Sequence, residues 1–132
     1  MQTDAEGLSP LIVRNLFSET ELDRQVWECF RPGIEIRRIY GGAPAAASAA
    51  LLRYQPGAEL PRHWHQGYEH ILVLRGSQVD DNGEHNIGTL LIHPPGTSHA
   101  VRSPGGCIVL AMWEKPVHLS DFWPENEPAG VK

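Results

Sequence analysis

Thirteen glycines and eleven prolines spread through a chain of 132 residues limit its fold more than any other feature. They cut the sequence into short segments, the punctuation of an all-β domain. The segments that read as strands are 34–40, 47–54, 69–75, 77–80, 89–93, 99–102 and 107–113. Asp81-Asn82-Gly83 is a hairpin signal between two of them, because Asn-Gly tolerates the positive φ that tight turns need. Gly41 to Ala47 reads as a turn leading into a strand, and no internal repeat is present. Ser18-Glu19-Thr20-Glu21 is a capping-box pattern. It opens either a short helix near 19–25 or an irregular loop.

Several strands are apolar on both faces. In 69–75, Ile71 and Val73 oppose Leu72 and Leu74; in 107–113, Val109 and Ala111 oppose Ile108, Leu110 and Met112. Such strands fit the inside of a barrel whose outer face is covered by another layer or by a second subunit. A homodimer is therefore expected. The length suits one domain with its own core. The expected division is an N-terminal extension over 1–33 with a strand or short helix, a β-domain over 34–116, and a tail over 117–132 in which Phe122 and Trp123 could dock.

Composition excludes several function classes. No run of 18 apolar residues exists, so neither a membrane span nor a membrane partner is expected. MQTDAEGLSP has no basic start and no apolar stretch, so no signal peptide is expected. Two cysteines, Cys29 and Cys107, make no disulfide framework, and a reducing cytoplasm is the expected location. The net charge is −5, the only lysines are Lys115 and Lys132, and no basic patch exists beyond Arg37-Arg38. No nucleic-acid partner is expected.

The chemistry concentrates in His63-Trp64-His65-Gln66-Gly67-Tyr68-Glu69-His70, which holds three of the seven histidines. In an extended chain residues two apart share a face. His63 and His65 then point together with Trp64 opposite. Glu69 joins them if the chain stays extended through Gly67, or if Gly67 bends it closer, while His70 turns away. Two imidazoles and a carboxylate aimed at one point suit a divalent metal: zinc, iron, nickel or copper for the imidazoles, with manganese or iron admitted by the carboxylate. A fourth ligand from beside the turn Pro94-Pro95-Gly96-Thr97-Ser98 is either His93 or His99, and spacing alone does not choose.

These residues fall into a wider pattern. Gly57, five residues, His63-Trp64-His65, three residues, Glu69, six residues and Gly76 resemble the first motif of the cupin superfamily. Gly88, five residues, Pro94-Pro95-Gly96, two residues, His99, three residues and Ser103 resemble the second, with Ser103 where that motif has asparagine. The two are 11 residues apart, and the resemblance covers about 34–114. It implies a double-stranded β-helix, the cupin jelly-roll barrel, with a short N-terminal extension, and one divalent metal per chain on His63, His65, Glu69 and His99. Zinc or iron come first, then manganese or nickel. On the same resemblance His93 reads as an outward strand residue, and His85 and His118 as surface.

The run Leu51 to His63, with Pro94 to His99 and Gly106-Cys107, looks like the cupin domain of ChrR-type anti-sigma factors, a zinc-binding sensing module. Their anti-sigma activity lies in a separate N-terminal helical domain with zinc-ligand cysteines and a histidine. Residues 1–33 have one cysteine and no histidine, so sigma-factor binding is not carried over. The subgroup is also similar to small dioxygenases acting on β-diketones, usually described with three histidines and no glutamate.

Two function classes follow. One is a small-molecule-binding or sensing protein with a tightly held metal, toward which the reading leans. The other is a metal-dependent enzyme, an oxygenase or isomerase, whose metal acts as Lewis acid and template. Glu69 and Tyr54 are the candidates for proton transfer, although Tyr54 and Tyr68 read first as packing residues. Trp64 and Trp113 read as core or subunit contacts, and Cys107 as a small buried residue.

Overall fold

The computed structural model describes residues 9–41 and 46–117. One short helix, α1 (Glu19–Asp23), precedes nine strands. These are β1 (Glu28–Arg31), β2 (Ile34–Tyr40), β3 (Ser48–Tyr54), β4 (Ala58–Trp64), β5 (Glu69–Asp80), β6 (Gly83–Asn86), β7 (Leu90–His93), β8 (Ser98–Ser103) and β9 (Cys107–Trp113). They pair antiparallel in the order β1-β2-β3-β9-β5-β8-β4, with β6 and β7 also on β5.

β5 turns this sheet into a barrel. Its first part pairs with β9 and β7, its last four residues pair with β6, and Val79 reaches Arg102 of β8. The strand passes from one layer to the other at Gly76. There φ is +71°, and a Cβ would strike the carbonyl oxygen of Gly106. Only glycine lets the two backbones approach so closely in that conformation. The two strands expected over 69–75 and 77–80 are thus one twelve-residue strand bent at a glycine.

Three strands carry no legible pattern. β1 is mostly exposed and β6 (Gly-Glu-His-Asn) is polar throughout, so neither alternates. β4 contains Pro61, which removes a ladder donor. It lies at the end of the strand order, and its register with β8 shifts between Leu60 and His63, the irregular edge site that tolerates proline. The Asn-Gly hairpin is present: Asp80 pairs with Gly83, and the Asn82 amide donates to Asp80 Oδ1 at 2.8 Å. The strand it returns is β6.

Alternation along the inward strands builds the interior from Ile34, Ile36, Leu52, Tyr54, Ile71, Val73, Val101 and Val109. A second cluster, Leu22, Leu51, Leu74 and Ile108, lies on the other face of β3, β5 and β9. Leu22 comes from α1, whose N-cap Ser18 accepts from the Glu21 amide at 3.3 Å. Trp27 packs beside it, donating Nε1–H to the Leu22 carbonyl at 3.2 Å, with the Arg53 guanidinium over its ring at 4.6 Å. The chain's own N-terminal segment therefore supplies a covering layer for strands apolar on both faces. Ser103, fully buried, donates Oγ–H to the Ser77 carbonyl at 2.7 Å and stitches β8 to β5. Among the described residues no helix is long and apolar enough to cross a membrane.

Candidate metal centre

Two cross-strand pairs face one another inside the barrel. His63 of β4 lies opposite His99 of β8, and Glu69 of β5 lies opposite His93 of β7. Directly paired residues of antiparallel strands point to the same face, and all four are buried. His65 follows β4 in the connection to β5. Its backbone is clamped to the proline turn, His65 N–H to the Thr97 carbonyl at 2.9 Å and Gly96 N–H to the His65 carbonyl at 2.8 Å. The chain thus bends rather than staying extended on its way to Glu69.

One ligand atom each from His65, Glu69, His93 and His99 lies within 4.8 Å of all the others. The His63 ring stands edge-on to those of His65 and His99, with centroids 5.2 and 4.8 Å away. Glu69 Oε1 is 3.0 Å from His65 Nε2 and 3.1 Å from His93 Nδ1. Yet all three atoms are buried without a hydrogen bond, because the groups approach off the donor direction. Buried polar atoms are rarely left so. A cation at their meeting point satisfies all three, so the donor set fits a metal ion.

The outer nitrogens fix the tautomers. His63 Nδ1–H donates to the Pro61 carbonyl at 2.8 Å. Thr97 Oγ1 gives its own proton to the Pro94 carbonyl at 2.6 Å and so accepts from His65 Nδ1–H at 3.0 Å. The Asp80 carboxylate, with no exposed side-chain surface, stands 3.4 Å from His99 Nδ1. In each case the Nε2 lone pair is left for the interior, the arrangement that orients metal-binding imidazoles. Glu69 Oε2 accepts from Trp113 Nε1–H at 2.7 Å, which fixes the carboxylate plane.

Charge follows the same geometry. Burial pushes the pKa of His99 down to about 4 and lowers that of His63, so both imidazoles stay neutral and able to bind a cation. Burial acts to raise the Glu69 pKa, but the neighbouring imidazoles of His65 and His93 outweigh it and hold the carboxyl well below the usual range. For Asp80 burial is likewise outweighed, by His85 at 2.8 Å and the Asn82 amide.

Of the sequence-derived candidates, His65, Glu69 and His99 fall in one donor group together with His93, and His63 adjoins it through ring contacts with His65 and His99. His93 corrects the expectation that it points outward. It is buried, its ring stacks on His65 at 4.9 Å, and only the β5–β7 register reveals that it faces Glu69. His85 is not a free surface residue, because it is held by Asp80. His118 and the tail residues Phe122 and Trp123 lie outside the described residues. His70 turns away as expected, its ring facing the exposed Tyr68 at 6.2 Å. Tyr54 is buried on the inner wall and hydrogen-bonded to Gln78, and burial raises its pKa. Trp113 and Asp80 carry roles that the sequence did not indicate.

A cavity of about 220 Å³ opens onto the centre, reaching His63, Glu69 and His99 between the walls Ile36, Leu52 and Val101.

Residues 19–118 match the ChrR cupin-like domain family. No curated protein matches the chain. Among solved structures, Rhodobacter sphaeroides SigE in complex with the anti-sigma ChrR matches at 28% identity and TM-score 0.63, over 70% of this chain and 51% of that one. The chain thus spans about half the length of that relative. A putative acetylacetone dioxygenase from Methylibium petroleiphilum PM1 matches at 12% identity and TM-score 0.72, over 96% of this chain and 87% of that one. An acetylacetone dioxygenase from Acinetobacter johnsonii matches at 14% identity and TM-score 0.66, over 76% and 73%. At these identities the two dioxygenases share the fold.

Proposed function

The chain belongs to the ChrR cupin-like domain family, and from that premise we propose that it is a mononuclear metal-binding protein that binds or senses a small molecule. His63, His65 and His99 would hold the ion through Nε2, with Glu69 as the anionic ligand. His93 Nδ1, 3.1 Å from Glu69 Oε1 and aimed at the same point, would be available as a further ligand. Zinc or iron suits three imidazoles and a carboxylate first, with manganese or nickel also accepted. The observation that carries the reading is the convergence of Glu69 Oε1, His65 Nε2 and His93 Nδ1, buried and without hydrogen bonds.

We lean to binding over turnover because, among the described residues, the two candidates for proton transfer are both engaged. Glu69 is held by Trp113 on one oxygen and faces the imidazoles with the other, and Tyr54 is engaged by Gln78. The cavity favours a second reading, a metal-dependent oxygenase, since it gives a small substrate access to the same centre. A bound ion would there supply Lewis-acid or redox chemistry.

Elemental analysis of protein purified without added metal separates the readings. About one ion per chain is expected in the wild type, and less than roughly a tenth of that in His99→Ala, in keeping with loss of a ligand. Undiminished metal in the variant would overturn the ligand set. Iron with oxygen uptake on a β-diketone panel would establish the oxygenase; zinc with no uptake supports the sensor.

The proposal includes a homodimer in the cytoplasm. Ile87 and the outward residues Leu90 and Ile92 of β7 are each more than half exposed, an apolar patch suited to a second copy. Light scattering at micromolar concentration should return twice the 14.7 kDa chain mass; a monomeric mass would refute it.

A further inference from the structure

We infer that the cavity binds a small hydroxy- or oxo-acid, with its carboxylate on Arg38 at the mouth and its uncharged oxygen at Gln78 inside. This rests on the small-molecule reading of the same cavity.

Arg38 and Tyr40 line the cavity from the end of β2 and are both exposed, so they form its rim with Phe30 and Val117. The register of β2 against β3 shifts between Arg38 and Tyr40. A bulge of that kind re-aims side chains at a barrel rim. Arg24, Arg53, Arg62 and Arg75 each lie within 4.0 Å of a carboxylate. The Arg38 guanidinium, by contrast, has no hydrogen bond or ion pair among the described residues. Among the described residues it is also the only lysine or arginine lining the cavity, and Glu69 the only acid. Glu69 is engaged by Trp113, so among the described residues no carboxylate compensates this planar cation at the mouth. A guanidinium matches a carboxylate bidentately.

The walls behind it, Ile36, Leu52, Leu60, Ile71 and Val101, demand an apolar body. Polar groups interrupt them, Tyr54 and Gln78 deepest among the apolar walls. Gln78 is 2% exposed, and its Oε1 is buried without a partner while the side chain bonds the Tyr54 hydroxyl. An unmet buried acceptor is destabilising, and a ligand hydroxyl would satisfy it. With the amide turned over, the same place offers an N–H to a ligand oxo group. Size sets the last limit. The volume of about 220 Å³ corresponds to roughly seven waters at ~30 Å³ each, below the range of drug-sized pockets. The ligand is therefore of single-ring or branched-chain size.

Calorimetric titration of the purified protein with 4-hydroxybenzoate and 3-methyl-2-oxobutanoate, each against its carboxamide, tests this. At least one acid is expected to bind roughly tenfold or more tightly than its amide, the scale of a charge-assisted hydrogen bond. Arg38→Gln should erase that preference while metal content stays unchanged. Gln78→Leu should remove the advantage of 4-hydroxybenzoate over benzoate. Equal affinity for acid and amide overturns the assignment, as does no acid binding at about 1 mM, a concentration that detects even weak complexes. So does a preference that survives Arg38→Gln, because the carboxylate then binds elsewhere, at the metal. Metal content measured on the same samples separates the two readings. An Arg38-dependent acid preference in protein that holds no metal supports this inference and refutes the metal centre; full metal with no acid preference refutes this inference alone.

Discussion

Stripping the ion with a chelator is expected to lower the melting temperature of the wild-type protein by roughly 10 °C. The folded chain presents a preassembled donor set that the unfolded chain lacks. An ion at a hundredfold excess over its dissociation constant then stabilises the fold by about 2.7 kcal/mol. A domain of this size melts roughly 3–5 °C lower for each kcal/mol lost. His99→Ala removes a proposed ligand, which Asp80 approaches at 3.4 Å, so the same chelator should move that variant's melting temperature by less than about 2 °C. Thermal unfolding followed by circular dichroism, with and without chelator, reads both. A wild-type melting temperature that ignores the chelator would show that the cluster is a satisfied polar core, in which the imidazoles and carboxylate stabilise one another without an ion.

How much of this centre is legible in the sequence depends on which contacts are local. His63 and His65 alternate with Trp64, and the period of two alone turns them to one face. Glu69 joins them only if the chain bends or stays extended through Gly67, and His99 is separated from His93 by the resemblance to the cupin motifs, not by spacing. His93 is different. Its facing is decided by the β5–β7 register, in which it meets Glu69, and nothing within the 89–93 segment specifies that partner. Trp113 and Asp80 were missed for the same reason: Trp113 reaches Glu69 across the β5–β9 pair, and Asp80 reaches His99 from the far end of β5. At the level of the fold, the jelly roll follows from the resemblance to cupins, while the all-β class and the apolar strands were readable in the residues. β4 was not, because Pro61 disguises an edge strand, and β6 was not, because a polar hairpin arm has no hydrophobic period. Strands apolar on both faces pointed to a second layer without identifying it; Leu22 and Trp27 show that the N-terminal segment forms at least part of it.

Metal-free protein is expected to lose about 3 kcal/mol of stability as the pH falls from 6.5 to 4. Burial lowers the pKa of His99 from 6.5 to about 4 in the fold, while the unfolded chain keeps the ordinary value. Above pH 6.5 both states hold the neutral imidazole, and its contribution is fully present. Between pH 6.5 and 4 the unfolded chain binds a proton that the folded one refuses, so stability falls with pH; below 4 both are charged and the loss is complete. The difference of 2.5 pH units corresponds to about 3 kcal/mol. His63 is shifted in the same direction and steepens the fall. Glu69 is shifted down from 4.5, so it acts lower: its contribution is present above pH 4.5 and lost as the pH drops through its folded value. Urea unfolding of the metal-free protein at pH 7 and pH 4.5 checks this, with His99→Gln expected to show the shallower dependence. The bound ion competes with the same protons for the same nitrogens, so loaded protein should release it within this window. A stability that stays level from pH 7 to 4.5 would mean that burial does not hold His63 and His99 neutral in the folded chain.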